Sequence, residues 1–347
     1  MIEYTTTRAN PMIDPQMHVW GWEIPVYLFL GGLVAGLMIL SGYHILRAQW
    51  DEDHDHGHYV AVPLFSLILL SLGMLALFFD LEHKFYVWRL YLTFKIASPM
   101  SWGAWILLLV YPALLGSVFF SLRDTMPGAI KRFPWLGKVA DCCHRARVMQ
   151  IIGFFNIGLG ILLGIYTGIL LSALGARPLW SSALLGPLFL FSGLSTGAAT
   201  LHILSHFGGK GSDTYRFTDA VMSSMVYWIR PRSDNEKAEH KLTQADNSFL
   251  TVELLILILF IIGLLSASSV QQAAAQLLLT GPYAAAFWVF VIGIGIILPL
   301  VLQFLQSMNR IQNSLLPALL VILGGLLLRF IIVYAGQESH WMMAALN

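Results

Sequence analysis

Glu23 and Tyr27 stand four residues apart, a spacing that puts both on one face of a helix. The run leading into them also holds His18, Trp20 and Trp22. Asp80, Glu82, His83 and Lys84 form a second polar group, Tyr166 interrupts a long apolar stretch, and Arg177 follows it closely. These side chains comprise proton carriers (Glu23, Asp80, His83), hydrogen-bond donors (His18, Tyr27, Tyr166) and one fixed cation (Arg177). Such a set suits an amphipathic redox ring. A quinone head group needs donors to its two carbonyls and a route for two protons, while apolar walls take its tail. Any one of these residues could instead be an interfacial anchor, as Trp, Tyr and snorkelling Lys are at every bilayer boundary. The gathering of the whole group favours chemistry.

Other chemical groupings are weaker. The run Asp51-Glu-Asp-His-Asp-His-Gly-His58 has metal-binding residue types without an enclosing scaffold, and reads as a solvated turn. His202 and His206 lie four apart on one segment, whereas a haem between helices takes axial histidines from two; no haem is expected. Cys142 and Cys143 are adjacent and too few for a structural metal or an iron–sulfur cluster, so neither is expected in this chain. An alternative to quinone chemistry is a proton or ion path through His202, His206, Glu253 and Arg329, and a further one is a structural anchor for soluble redox subunits.

The elements that position these residues follow from composition. Apolar residues make up 57% of the 347 positions and charged residues 11%, against roughly 25% charged in a soluble chain. Only helices or closed barrels satisfy their backbone in lipid, and the apolar runs are continuous where barrel strands would alternate. Segments of the ~20 residues needed to span a bilayer fall at 24–46, 59–81, 101–122, 148–171, 180–206, 249–268, 283–306 and 314–335. The fold expected is therefore an all-α integral membrane protein of about eight transmembrane helices. A net charge of +1 gives no reason to expect a nucleic-acid partner.

Lys and Arg concentrate in the connections at 123–147 and 207–248, with six in each, whereas the opposite connections hold Arg8, Lys84, Arg89, Lys95 and Arg177. By the positive-inside rule both termini are expected outside. That orientation places Glu23, Asp80, His83, Tyr166 and Arg177 on one outer rim. Met1 to Asn10 is polar and leads into no short apolar core, so no cleaved signal peptide is expected. Gly160, Gly164 and Gly168, and likewise Gly32 and Gly36, form small-residue stripes suited to close helix contact. No segment outside the lipid could bury a core of its own, so 1–347 reads as a single domain.

Several long stretches resemble one family. Trp20-Gly-Trp-Glu-Ile-Pro-Val-Tyr-Leu-Phe-Leu-Gly-Gly-Leu-Val-Ala-Gly36, Asp80-Leu-Glu-His-Lys-Phe-Tyr86 and Ser98-Pro-Met-Ser-Trp-Gly-Ala-Trp105 are similar to the NrfD-like membrane subunits of polysulfide reductase type. Tyr166-Thr-Gly-Ile-Leu-Leu-Ser-Ala-Leu-Gly-Ala-Arg-Pro-Leu-Trp180 and Gly324-Gly-Leu-Leu-Leu-Arg-Phe-Ile-Ile-Val-Tyr-Ala-Gly-Gln337 extend the likeness over nearly the whole chain. The resemblance implies two four-helix bundles, 24–171 with the quinone site and 180–335, in a bacterial or archaeal cytoplasmic membrane. It implies menaquinone or ubiquinone as cofactor, without haem. It also implies an outer four-cluster ferredoxin-like iron–sulfur partner, commonly with a molybdopterin catalytic subunit beyond. Tyr166 matches the family's quinone-binding tyrosine, Asp80 the acid ending the second helix, Arg177 the arginine before Pro-Leu-Trp, and Glu23 to Tyr27 the polar start of the first helix. The first helix departs from the family in offering Glu23 and Val26 or Tyr27 where Asn and His are found.

Overall fold

A computed structural model describes residues 20–48, 62–125, 127–143, 145–207, 236–308 and 314–340, and among these residues there is no strand. Among the described residues eight helices are long and apolar enough to cross a membrane. They are α1 (Glu23–Ala48), α2 (Val62–Asp80), α4 (Pro99–Thr125), α7 (Ala146–Ser172), α8 (Leu185–Phe207), α9 (Glu236–Leu265), a π-helix (Ala286–Ile297) running into α11 (Leu298–Ser307), and α12 (Leu316–Glu338). Shorter helices fill the connections: α3 (Arg89–Leu92) between α2 and α4, α5 (Pro127–Arg132) and α6 (Pro134–Cys143) before α7, and α10 (Ser269–Leu279) after α9. The eight apolar segments expected from sequence all correspond to membrane helices.

Two boundaries differ from expectation. The fifth helix begins at Leu185 because the chain from Arg177 to Leu185 winds through successive tight turns. The sixth begins at Glu236, inside a stretch that reads as a polar connection, and its 30 residues make it ~45 Å long against a ~30 Å hydrocarbon core. Helix propensity in Glu236-Lys-Ala-Glu-His-Lys continues the helix beyond lipid where hydropathy alone would stop it. The helix α10 opens with a capping box, Ser268 and Gln271 satisfying each other's backbone donors.

Consecutive membrane helices alternate in direction. The start of α1, the end of α12, the α2–α4 and α7–α8 connections and α10 therefore share one face, here called the terminal face. The other is the far face. Helix α1 is the most enclosed of the eight, packing on α2, α7, α8 and α12. Lipid tails are as apolar as leucine, so helices in a bilayer gain little from hiding apolar area and associate through close van der Waals contact and hydrogen bonds.

Glycine supplies that closeness. A methyl group on Gly36 would overlap the carbonyl of Gly193 on α8, and one on Gly193 would overlap the carbonyl of Gly32 on α1. Gly197 meets the Gly36 backbone in the same way, so α1 and α8 touch main chain to main chain. Gly160 and Gly168 of α7 make equivalent contacts with Ala35 of α1 and Leu185 of α8. Replacing Gly193 by Val is expected to force α1 and α8 apart and to cost ~3 kcal/mol, the upper range for overpacking. Reversible unfolding in mixed micelles measures this, with Gly263→Val, where no atom lies within 4 Å of an added methyl, as the neutral control.

Candidate functional site

The two tyrosines singled out by sequence meet. Tyr27 leaves its first-turn neighbours on α1 and points inward, only 3% exposed, and Tyr166 on α7 is 6% exposed. Their hydroxyl groups are hydrogen-bonded to each other. A buried phenol needs such a partner, because an unpaired one costs ~1–3 kcal/mol. One glycine makes room for the pair and a second lies beside it. A methyl group on Gly103 of α4 would overlap the Tyr166 hydroxyl, and one on Gly73 of α2 would touch the ring of Tyr27. Helices α1, α2, α4 and α7 thus converge on two phenols near the terminal face.

A third phenol, Tyr91 of α3, lies close enough to act electrostatically on both. Burial, and then the neighbouring Tyr111, push Tyr91 above its ordinary value, so it remains a neutral donor at physiological pH. Tyr111 shares a 3.4 Å hydrogen bond with Ser71 of α2. Ser101 anchors the α3–α4 turn: its hydroxyl donates to the Thr93 carbonyl at 3.0 Å and accepts from the Lys95 amide at 3.0 Å.

One turn nearer the terminal face, the half-buried carboxylates of Glu23 and Asp80 interact across α1 and α2. His83 lies farther out, exposed, with its ring edge-on to Tyr86 at 6.4 Å. His18 lies outside the described residues, as do the tract 51–58 and the connection 208–235. Among the described residues no group of three His, Cys, Asp or Glu is placed to hold a metal.

Arg177 is buried in a different arrangement. Its Nη1 donates to the Ser339 carbonyl at 3.1 Å and to His340 Nδ1 at 2.8 Å. The second bond fixes His340 as the tautomer that accepts at Nδ1. Beside it the Trp180 indole donates to the Ile332 carbonyl at 2.8 Å and stacks on Trp20, ring centroids 5.3 Å apart. The Gln337 amide completes the clamp, accepting from the Trp20 N–H and donating to the Trp20 carbonyl, both at 3.0 Å. Arg177 therefore ties the α7–α8 connection to the end of α12.

A second polar group is buried at mid-membrane depth. Arg329 on α12, fully buried, donates to Ser192 Oγ, to the Phe189 carbonyl at 3.1 Å and to the Gly325 carbonyl at 3.1 Å. Its guanidinium also sits 4.8 Å over the Phe189 ring. Glu253 on α9 accepts from Ser195 Oγ at 2.8 Å and is hydrogen-bonded to Ser192, the same hydroxyl that Arg329 reaches. Two turns toward the far face, Asp246 accepts from Gln303 Nε2 at 2.7 Å. Asp246 and Gln303 carry no mark in a hydropathy plot that would distinguish them from interfacial residues. Their burial is set by the long inward extension of α9.

The arrangement near the terminal face can do definite chemistry. Tyr166 and Tyr91 can donate to carbonyl oxygens while Tyr27 donates to Tyr166, and Glu23 with the partly exposed Asp80 can exchange protons with water. Exposed Leu75, Phe78, Phe79, Trp102 and Trp105 on α2 and α4 present an apolar surface alongside.

Comparison with known proteins adds a lineage. The profile described as "Polysulphide reductase, NrfD" matches residues 11–339. The protein is 32% identical over 333 residues to the C component of the polysulfide reductase of Wolinella succinogenes, covering 92% of this sequence and 94% of that one. It is 30% identical over 335 residues to protein NrfD of Escherichia coli, covering 92% and 95%. The C component of the selenate reductase of Mesobacillus selenatarsenatis is 25% identical over 337 residues, covering 90% of this sequence and 73% of the relative.

Gly103→Val is expected to displace the Tyr166 ring and break its hydrogen bond to Tyr27, at a cost of ~1–3 kcal/mol in stability. Ultraviolet resonance Raman spectra, in which tyrosine bands report hydroxyl hydrogen bonding, would register the loss, and an unchanged spectrum would show that the pair tolerates the bulk.

Proposed function

We propose, from the premise that this chain belongs to the NrfD polysulphide reductase family, that it exchanges electrons and protons between the quinone pool and a docked iron–sulfur subunit of a respiratory reductase. The observation that carries the reading is the buried, hydrogen-bonded Tyr27–Tyr166 pair, set beside the Glu23 and Asp80 carboxylates at one end of four converging helices.

The residues fit a quinone. Gly103 and Gly73 keep the walls about the phenols thin, and the neighbouring apolar surface of α2 and α4 suits an isoprenoid tail. A menaquinone or ubiquinone bound there would supply reversible two-electron, two-proton redox chemistry. Tyr166 would hold and orient the head group by donating to one of its oxygens, with Tyr27 steadying Tyr166 through their hydrogen bond and Tyr91 at the rim; His18 is a further candidate donor that lies outside the described residues. Asp80 and Glu23 would carry protons, the partly exposed Asp80 exchanging them with bulk water and passing them to Glu23. His83, which is exposed, would buffer protons at the mouth. Arg177, held by Ser339 and His340, would steady this face and contribute a fixed positive charge to it.

The same reading assigns the terminal face to the outside of a bacterial or archaeal cytoplasmic membrane, on the strength of the Lys and Arg in 123–147 and 207–248. A four-cluster ferredoxin-like subunit would dock there, with a molybdopterin subunit beyond it. Two cysteines, Cys142 and Cys143, cannot ligate a cluster of their own, so electrons must arrive or leave through a partner. The names of two relatives, one a component of a polysulfide reductase and the other of a selenate reductase, support a place in such a complex.

Tyr166→Phe is expected to lower quinone-linked turnover at least ~10-fold, a hydrogen bond to a reacting group being worth ~1.5 kcal/mol or more, while the complex still assembles. Lipid extracts of the purified complex should contain quinone in stoichiometric amount. Turnover at the wild-type rate in the Phe variant would sink the assignment.

A further inference from the structure

The connection between α4 and α7 on the far face takes no part in the quinone chemistry proposed above. Helix α4 leaves the membrane span at Phe120 and α7 enters it at Arg147, so both ends of the connection are fixed at one bilayer boundary. Between them α5 packs on α4, and α6 packs on both α4 and α5. At 10 residues, α6 is ~15 Å long and cannot cross a ~30 Å hydrocarbon core. Its contacts with α4 hold it against the boundary. Pro127 and Pro134 open the two helices, a fixed φ being suited to a first helical residue.

Helix α6 has two unlike faces. Gly137 and Ala140, about one turn apart, are buried, and Leu136, Val139 and Cys143 beside them are partly buried. A methyl group on Gly137 would lie 3.2 Å from the Ile130 side chain of α5, so the two short helices are closely seated. The opposite face and the α5–α6 junction are exposed: Phe133 at 46% and Trp135 at 58%, with Lys131, Arg132 and Lys138 around them. Arg145 and Arg147, also exposed, follow at the start of α7. Arg123, Lys131, Arg132, Lys138, Arg145 and Arg147 outnumber Asp124 and Asp141 in this stretch, and the first turn of α7 holds no acid.

We propose that this connection is a binding surface for anionic phospholipid in the leaflet at the far face. Its cations take the phosphate groups, and its two exposed rings take the boundary between head groups and acyl chains. Charges that only set topology could stand anywhere in a short loop and need no apolar company. Here two large rings lie exposed among the cations at the edge of lipid, which is the composition of an interfacial segment. Arginine grips a phosphate through two parallel N–H donors, and the stems of Lys and Arg run along apolar surface while their heads stay in water. An anionic leaflet attracts each basic residue close to it with a preference of ~5-fold.

Lys131, Arg132, Lys138, Arg145 and Arg147, all exposed on so short a stretch, repel one another. Lipid phosphates relieve that repulsion and hold together the far-face ends of α4 and α7, helices already joined by the 2.8 Å hydrogen bond from Asn156 to Ser117. The same two helices carry Gly103 and Tyr166 near the terminal face, so the lipid steadies the scaffold without entering the site. The surface does not depend on the quinone reading, and its signature is head-group selectivity rather than turnover.

The full-length chain, reconstituted in phosphatidylcholine vesicles that contain spin-labelled phosphatidylglycerol or spin-labelled phosphatidylcholine, tests the surface by electron paramagnetic resonance. At low salt the motionally restricted fraction should favour phosphatidylglycerol by at least ~2-fold averaged over all boundary lipids, and the preference should shrink in concentrated salt as exposed charges are screened. Joint replacement Arg132→Gln, Lys138→Gln and Arg145→Gln should remove most of it, while Arg132→Lys with Arg145→Lys keeps it. Equal restriction of the two lipids by the wild type, or an unaltered preference in the glutamine variant, would overturn the proposal. Because removing cations can also disturb insertion, a second measurement uses the wild type alone. Phosphatidylglycerol carrying a photoactivatable head group should crosslink to the peptide spanning 131–147, and labels confined to other parts of the chain would equally overturn it. The same lipid added to native membranes should reach the same peptide; its exclusion there, as by a soluble protein seated on the connection, would sink the lipid assignment as well.

Discussion

The contact between α1 and α8 carries the rest of the molecule. In lipid, side chains gain little by hiding from their surroundings, so two helices hold together only as tightly as their backbones can approach. Gly32, Gly36, Gly193 and Gly197 let the two backbones meet directly along that seam. Helix α1 then has room to pack on α2 and α7 with its other faces, which brings Tyr27 to Tyr166. The same seam leaves a space at Gly32 that the Arg329 guanidinium occupies. A single glycine-lined contact therefore positions both polar groups, one on each side of α1.

Those two groups obey one rule differently. A polar atom in the membrane must find a partner within the protein. The Tyr27–Tyr166 pair does so with a single hydrogen bond and stays near the surface, where Glu23 and Asp80 can reach water. Arg329 needs more, and takes a hydroxyl, two carbonyls and an aromatic face. Asn156, donating to Ser117 at 2.8 Å between α7 and α4, is a third and simpler case. Each of these three groups pins neighbouring helices in one register, which apolar contact alone would leave free to slide.

Hydropathy and length made the eight membrane helices legible, because each must hold ~20 apolar residues whatever its neighbours are. The spacing of Glu23 and Tyr27, and the place of Tyr166, were readable for the same kind of local reason. Their meeting was not, since it depends on Gly103 yielding space from another helix. Tyr91 and Tyr111 carry no local mark that separates them from an interfacial aromatic belt. Arg177 looks from sequence like a cation for the site, and its hydrogen bonds to Ser339 and His340 come from a segment more than 160 residues away in sequence. The extension of α9 to Glu236 was hidden because hydropathy reads lipid contact and is silent about helix that continues into water.

The amide of Gln337 imitates a peptide group, accepting and donating to the Trp20 backbone as a neighbouring strand would. This clasp bears on biogenesis. Membrane helices emerge from the ribosome in chain order, so α1 enters the bilayer long before α12 is made, and until then it lacks both the Gln337 clasp and the guanidinium that lies against Gly32. The helix that carries Glu23 and Tyr27 is thus inserted early and sealed last. An immature chain would hold its tyrosines on an unlatched helix, and docking of a partner that reads the finished terminal face would be deferred until translation of α12 had ended.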